Sequence, residues 1–547
     1  MRWMLAQKLS GNGCDSVVSL RSACRPALLG LTVICAVFLL SCSSQPLDVR
    51  SAMPADALIY LETRDLGTAV GSVINNRSLS EAAATLPDIT MLNGMPMSVA
   101  VTGFETSEQT VTAENSVLTF QPRFVSVIET GYWNFQVITF VEEHLGLFIS
   151  EAYGGEATLE TSDKHGGRYF VWSGRDGRKA YGLVIGSVIY FGNDETAIEN
   201  CLAVQRGEVE NIAGSGKLSS AGDALAFGYV SPEGIAQLAN IAGISIAKRS
   251  SEEGEVQSFV ARVLPELLRS SVKEMTWTAN VNGSMITDHY QITLDPEIAR
   301  VTKETMSPAN GSAAAADFIP AEAVSATRYN LQDPRLAWRS VLLTARSRTD
   351  AVSGEIIAAV ASSFFEPFEI ADPELFLGAV TQPLMTVRFD ADGDSSAVIA
   401  GIGNLPDIKR AISKEVDLTK PAETLSGAEV WRSADNTITA AFLPEMVIIG
   451  DPSAVAKCLA ARADQTKRID VQKLERFNGG NGVTLTFGTD TDSAGAIASV
   501  VGTKKDGIGS VPLRWITETQ FEGEVMNRTT GSPFGFVGQI IAQFASE

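Results

Sequence analysis

The feature that most constrains the fold is a similarity between the two halves of the sequence. Pro54-Ala55-Asp56-Ala57 opens an apolar run, and Pro320-Ala321-Glu322-Ala323 opens another one 266 residues later. Further matches follow in the same order along both halves. They are Trp172 with Trp431, Gly192 with Gly450, Asp194 with Asp451, Cys201 with Cys458, Phe227-Gly228 with Phe487-Gly488, and Trp277 with Trp515. Collinear matches of this kind predict two tandem copies of one module.

The similarity also suggests domain boundaries. We place the first copy at residues 52–305 and the second at residues 318–547. Residues 306–317 contain Ser, Pro, Asn, Gly and four consecutive alanines, which is the composition of a linker.

Each copy mixes strand and helix patterns. In the first copy we expect a strand over Ala57–Thr63, followed by a helix capped by Asp65. Gly186-Ser187 predicts a tight hairpin turn, and Asp194 stands where a helix N-cap would be, as does Asp451, which is followed by Pro452. Apolar residues at helical spacing predict a helix over Trp133–Ser150. The fold class is therefore α+β: two tandem modules of mostly antiparallel sheet with packed helices, after a cleaved signal peptide.

The N-terminus indicates export and lipid attachment. Arg21 and Arg25 precede an apolar run from Ala27 to Leu40, which suits a signal-peptide core but is short for a bilayer span. The run ends in Leu39-Leu40-Ser41-Cys42, which resembles the lipobox of bacterial lipoproteins. This resemblance implies a signal peptide over residues 1–41, acylation of Cys42 and a tether over residues 42–51. An ordinary signal peptide and an uncleaved anchor are the alternatives.

Lipid attachment has consequences for location. Two or three acyl chains on Cys42 would hold the mature protein at a membrane of the cell envelope. Ser43 follows Cys42, where an inner-membrane retention signal would show Asp, so the resemblance favours the periplasmic side of the outer membrane in a diderm host. The opening Pro54-Ala55-Asp56-Ala57 after such a leader also resembles a family of bacterial envelope proteins known only as a domain of unknown function. That family implies no catalytic residues.

Charge excludes some partners. The chain has 43 basic and 64 acidic residues and a formal charge of −21. The first 41 residues contribute four bases and one acid, so the mature chain is more acidic still. Such a chain repels nucleic acid, and we expect no nucleic-acid partner.

We find no catalytic, cofactor or metal-binding constellation, and we expect no cofactor. His144, His165 and His289 are scattered and have no counterpart in the other copy. The recurring Cys201 and Cys458 lie on apolar helix faces and predict buried thiols, although a disulfide between them remains an alternative. Asp390-Ala391-Asp392-Gly393-Asp394 resembles the start of a calcium loop, but Gly401 stands where an EF-hand needs Glu, so a polar turn is favoured. We interpret the recurring tryptophans as core anchors, with sugar-stacking platforms as the alternative.

The sequence therefore predicts a non-enzymatic, lipid-anchored envelope protein that acts as an interaction or scaffolding unit. Its partners would be the membrane, through Cys42, and a further envelope protein. The alternative is a binding or carrier lipoprotein for an apolar ligand, with the helix over Trp133–Ser150 as a lid. A hydrolase is a third candidate, which would need carboxylates clustered in a cleft.

Overall fold

A computed structural model describes residues 46–112, 115–153, 155, 157–218, 222–250, 263, 265–309, 313–390, 393–412, 416, 423–470, 475–504 and 512–544. The predicted signal peptide and the predicted lipidation site Cys42 lie outside these residues.

Strands are numbered in chain order through both halves. Those of the first half are β1 (Ile59–Thr63), β2 (Ala83–Thr85), β3 (Met97–Thr112), β4 (Asn115–Glu129), β5 (Thr158–Lys164), β6 (Gly167–Ser173), β7 (Lys179–Ile185), β8 (Val188–Gly192), β9 (Ala226–Val230), β10 (Val272–Asn282) and β11 (Met285–Leu294). Those of the second half are β12 (Ser325–Tyr329), β13 (Val380–Arg388), β14 (Ser396–Ile402), β15 (Glu423–Leu425), β16 (Ala428–Arg432), β17 (Thr439–Phe442), β18 (Met446–Gly450), β19 (Thr484–Asp490), β20 (Thr503–Lys504), β21 (Leu513–Glu522) and β22 (Val525–Ser532).

One large antiparallel sheet runs through both halves. The first half pairs in the order β5-β6-β7-β8-β4-β3-β1-β9-β10-β11. The second half pairs in the order β15-β16-β17-β18-β14-β13-β12-β19-β21-β22. β11 then pairs with β22 over eight residues and joins the halves. With helices packed on the sheet, this confirms the α+β class, while the tandem duplication itself stays a prediction.

Among the described residues, 265–271 form one helical stretch, and fifteen further α-helices accompany the sheet and are numbered in chain order. They are α1 (Leu66–Ile74), α2 (Arg77–Ala82), α3 (Asn134–Phe140), α4 (Gly146–Ala152), α5 (Glu195–Gln205), α6 (Pro232–Ser250), α7 (Pro296–Thr305), α8 (Pro334–Ser347), α9 (Ala351–Ser363), α10 (Pro373–Ala379), α11 (Leu405–Ala411), α12 (Pro452–Ala463), α13 (Glu475–Gly479), α14 (Ser493–Val501) and α15 (Gly535–Ala542). A π-helical turn, Val141–Leu145, joins α3 to α4 without a break in the helical backbone. The helix predicted over Trp133–Ser150 therefore forms, with a π-helical turn in its middle.

Aspartates begin several of these helices, as the sequence predicts. Asp65 accepts a hydrogen bond from Thr68 N at 3.0 Å and caps α1. Asp194 caps α5 and Asp451 caps α12, where Pro452 takes the first helical position. Each side chain satisfies a backbone N–H group that has no partner within its helix. Gly186, at φ 62°, forms the predicted turn between β7 and β8.

Side chains of the sheet alternate between two faces, because successive strand residues point in opposite directions. Face A is defined by the core that contains Tyr60 and Cys201 in the first half and by the core that contains Phe487 and Cys458 in the second. Face B carries Trp172 in the first half, Trp431 in the second and a central cluster around Trp277.

The halves exchange helices on face B. α15, from the end of the second half, packs on α1, β10 and β11 of the first half, and α14 packs on α2. Conversely, α7 of the first half packs on α8 and β21 of the second half. The resulting central cluster contains residues of both halves: Val73, Ile74, Leu79, Ala82, Ala83, Ala226, Trp277, Ala279 and Ile286 from the first, and Ala494, Ile497, Ala498, Leu513 and Phe534 from the second. A shared core of this kind ties the two halves together.

Parts of the predicted tether and linker are packed. Val49, inside the predicted tether, is buried in a 3₁₀ turn against face A. Residues Ala313–Phe318 form a second 3₁₀ helix, in which Ala315 and Ala316 are buried in the face A core of the second half. Residues 42–45 of the predicted tether and residues 310–312 of the predicted linker lie outside the described residues, and the module boundaries stay predictions.

Within the described residues, the stretch Ala351–Phe368 is the one helical stretch long and apolar enough to cross a membrane. It includes α9, and 11% of it is buried in the fold.

Candidate functional site

The junction between β11 and β22 brings the two halves into contact at the centre of the sheet. Asp288 on β11 lies opposite Thr530 on β22. Trp277 on β10 and Trp515 on β21 stand on either side of this junction. Each tryptophan lies opposite a glycine of the next strand, Gly228 and Gly488 respectively. The chain thus places two indole rings and one carboxyl group around the line where its halves meet.

Trp277 is buried, and its indole N–H group is hydrogen-bonded within the fold. Its indole Nε1 donates to Asp288 Oδ1 at 2.9 Å, and Asp288 Oδ2 accepts from Phe536 N at 2.9 Å. The Phe536 ring meets Trp277 edge to face, with centroids 5.0 Å apart. α15 therefore covers Trp277 and caps the carboxylate of Asp288 with its first turn, where a negative charge is stabilised by the helix dipole.

Trp515 occupies the corresponding place in the second half but lacks these partners. A Cβ atom added to Gly488 would overlap the indole ring of Trp515, so the ring lies against the Gly488 backbone. The position opposite Asp288 is held by Thr530, whose hydroxyl bonds with that of Thr517 at 2.8 Å. Among the residues that the structure describes, none accepts a hydrogen bond from Trp515 Nε1. The indole ring is partly exposed and its edge N–H is available.

A cavity of about 420 Å³ opens on face B above this junction. Strand side chains form its floor, and one wall is formed by the start of α14 and by α15 with the two residues before it. The side chains that line it are Met275, Asp288, Tyr290, Ile292, Asp490, Ser493, Leu513, Trp515, Thr517, Arg528, Thr530, Ser532, Pro533, Phe534, Gly535 and Gln539. This volume falls within the range of about 300–1,000 Å³ that is usual for ligand sites. We call it the central cleft.

The charged groups of the central cleft differ in how many hydrogen bonds and ion pairs they form within the fold. Burial raises the pKa of Asp288 to about 6, while the hydrogen bonds from Trp277 and Phe536 oppose this shift. Asp490 accepts hydrogen bonds from Ser493 N and Ser493 Oγ at the start of α14. Arg528 is exposed, and within the described parts of the chain it forms no ion pair. Burial also raises the pKa of Tyr290, which stays neutral. The cleft therefore contains two carboxyl groups that accept hydrogen bonds within the fold, Asp288 and Asp490, and one guanidinium group without an ion pair among the described residues, Arg528.

The three histidines stay apart from the cleft and from one another. His289 lies on the opposite face of β11, where its Nδ1 is 3.0 Å from Thr529 Oγ1. His165 sits in a turn at φ 55°, with its Nε2 3.9 Å from Glu199 Oε1. His144 lies in the π-helical turn. Over the described residues, no three His, Cys, Asp or Glu side chains are grouped as metal ligands.

Cys201 and Cys458 are both buried and free. Each lies in the face A core of its own half, so the disulfide alternative does not hold in this structure. Burial raises the pKa of each thiol to about 12. These cysteines behave as small apolar core residues, as their helix positions predict.

The remaining candidates from the sequence are the recurring tryptophans and the acidic segment that begins at Asp390. Trp172, Trp431 and Trp277 are buried core residues, whereas Trp515 is not fully buried. Asp390 accepts hydrogen bonds from Gly393 N and Ser395 N in the turn between β13 and β14, while residues 391–392 lie outside the described chain. The polar-turn interpretation fits this local geometry.

Sequence reasoning missed the central cleft. Asp288, Arg528 and Gln539 belong to no motif, and they come together through the β11–β22 pairing and the return of α15 across the junction. The recurrence of Trp277 and Trp515 was the one available signal. It pointed to equivalent places without revealing that the two rings have different surroundings.

Comparison with known proteins adds little. No protein-family model matches the chain, and no curated protein matches it. Three solved structures similar to part of it are crystal forms IV, III and I of TP0453, at 9%, 8% and 8% identity. They cover 48%, 49% and 46% of this chain and 87%, 90% and 80% of theirs, with TM-scores of 0.23, 0.25 and 0.24. TM-scores this low indicate neither a shared fold nor a shared function.

Proposed function

We propose that this chain is a non-enzymatic, lipid-anchored envelope protein that acts as an interaction or scaffolding unit, with face B as its binding side. The observation that carries the proposal is the division of the sheet into two faces. The N-terminal segment packs on face A, whereas the central cleft and the helices with exposed apolar side chains lie on face B.

Support for the orientation comes from the first described residues. Leu47 N donates to Glu129 Oε2 at 3.0 Å, and Val49, Ala52 and Met53 are buried in the face A core. Cys42 lies four residues before Pro46, which a chain can span in at most about 14 Å. Acyl chains on Cys42 would therefore enter the membrane close to the part of face A on which Val49 packs. Face B would then be directed away from the membrane.

Support for a protein partner comes from α8, α9 and the residue after α9. Leu343, Val352 and Phe364 are 60%, 70% and 71% exposed, and apolar exposure of this kind marks interaction sites. Two guanidinium groups of α8 are paired within the fold: Arg339 with Glu374 at 3.2 Å, and Arg346 with Glu355 at 2.9 Å. Cations that are neutralised in this way attract anionic lipid headgroups weakly, so we favour an apolar surface of another envelope protein as the occupant.

The carrier alternative has less support. The central cleft is lined by Asp288, Asp490 and Arg528 as well as by apolar side chains, and charged groups are costly to bury against an apolar ligand.

Site-specific photocrosslinking in the native host tests this proposal. A photoreactive residue at Leu343 should form an adduct of one defined mass with another protein, and one at Ala463, at the exposed end of α12 on face A, should not. Equal adducts at both positions, or adducts with lipid alone at Leu343, would contradict it. Mass spectrometry of the extracted protein tests the anchor separately, since Cys42 should carry acyl chains and residues 1–41 should be absent.

A further inference from the structure

We propose that the central cleft binds a saccharide, with Trp515 as the platform for a pyranose ring. This goes beyond the interaction role proposed above and rests on different residues. It starts from the unequal surroundings of two tryptophans that otherwise occupy corresponding places.

The first step is that Trp515 is less completely covered than Trp277. Trp277 is enclosed by Phe536 of α15, and its N–H is taken by Asp288. α7, the helix that returns from the first half toward β21, contains no aromatic residue over Pro296–Thr305. Trp515 lies with its ring against the Gly488 backbone and lines the cavity. An indole ring that lines a cleft offers an apolar surface of about the size of one sugar ring.

The second step is the set of polar groups beside this ring. Trp515 Nε1–H can donate to a ring or hydroxyl oxygen, and the five N–H groups of Arg528 can donate in pairs to neighbouring hydroxyls. Gln539 is exposed on the α15 wall and offers both a donor and an acceptor. Asp288 and Asp490, by contrast, are occupied by hydrogen bonds within the fold. An aromatic face edged with polar groups matches a pyranose, whose axial C–H bonds form an apolar face and whose hydroxyls surround its rim.

The third step sets this ligand against other classes. A nucleic-acid strand would bring its negatively charged phosphate backbone to a chain with a formal charge of −21. A fatty acyl chain would leave Arg528 and the two carboxylates facing hydrocarbon. A saccharide uses both the apolar ring and the polar rim, and a cavity of about 420 Å³ is large enough to hold one.

Isothermal titration calorimetry on the mature full-length chain tests the proposal, with cellobiose, diacetylchitobiose, methyl β-glucoside and glucuronic acid as probes. At least one probe should bind at millimolar concentration or below. Trp515→Ala should weaken that binding at least about tenfold, and Arg528→Ala should weaken it as well. Trp133→Ala is the matched control, because Trp133 is 67% exposed and lies outside the cleft.

Three results would overturn the proposal: no binding of any probe, equal affinity in Trp515→Ala and the unaltered chain, or an equal loss in Trp133→Ala. Trp515→Phe keeps a ring and loses the N–H group, so it should bind between the unaltered chain and Trp515→Ala. This variant keeps the test valid if the alanine variant folds poorly. Photocrosslinking at Leu343 does not involve the cleft, so failure here leaves the proposed function intact.

Discussion

Arg348 of the second half donates through Nη2 to Asp295 of the first half at 2.6 Å. Its Nη1 donates to Ser270 O at 2.9 Å, and its Nη2 also lies 3.1 Å from Glu297 Oε2. One guanidinium thus binds three groups of the other half. Asp295 is also the N-cap of α7, so the same contact fixes the helix that crosses from one half to the other.

The Arg348 contact predicts an acid-sensitive link between the halves. The guanidinium lowers the pKa of Asp295 to about 2, so the folded state binds fewer protons than the unfolded state between about pH 4 and pH 2. The stabilisation is present above about pH 4 and is lost as the pH falls through 2. Arg348→Ala should lower the free energy of unfolding by about 1 kcal/mol at pH 6 after allowance for solvent screening. The difference should shrink as the pH falls from 4 through 2 in acid-unfolding curves. Arg300→Ala, which removes an exposed pair within α7, should cost less than about 0.5 kcal/mol.

Asp288 predicts a pH dependence of the opposite sign. Its pKa is raised to about 6, so the folded state binds more protons than the unfolded state between about pH 4 and pH 6. The free energy of unfolding of the unaltered chain, compared with that of Asp288→Asn, should therefore fall by roughly 2 to 3 kcal/mol as the pH rises from 4 to 7. A difference that stays flat over this interval would contradict the burial of this carboxyl group. The indole N–H resonance of Trp277 should shift with a midpoint near pH 6.

Gly488 predicts a steric cost beneath Trp515. A Cβ atom there would overlap the indole ring, so Gly488→Ala should destabilise the chain by about 1 to 3 kcal/mol in thermal or urea unfolding. Gly103→Ala is the control, since the nearest atom to its added Cβ is Arg123 Cδ at 4.0 Å. If the two variants were equally stable, Trp515 would not lie against the Gly488 backbone.

The two buried cysteines predict slow thiol chemistry. Because burial raises the pKa of Cys201 and Cys458 to about 12, neither thiol should react with a thiol-specific chromogenic disulfide in the native protein at pH 8. Both should react at once in denaturant. Rapid modification of one thiol under native conditions would show that its half opens readily on that side.

Local signals in the sequence predicted local structure well. Asp65, Asp194 and Asp451 cap helices as expected, and Gly186 turns the hairpin between β7 and β8, because each depends on neighbours within a few residues. The α+β class followed from the same local patterns. The central cleft could not be predicted, since it depends on β11 meeting β22 across 240 residues and on α15 returning to the first half. Nothing near Trp515 in the sequence reveals that Trp277 is the buried ring and Trp515 the partly exposed one.

The β11–β22 pairing also bears on how this protein behaves at low copy number. A sheet edge presents unpaired N–H and C=O groups that invite pairing with another chain. Here each half closes that edge of the other within one polypeptide, in the way that two subunits of a symmetric dimer would. Because the partners are covalently linked, their effective local concentration is fixed and does not depend on how many copies are present. A single molecule therefore carries a complete interface, and dilution would not dissociate it.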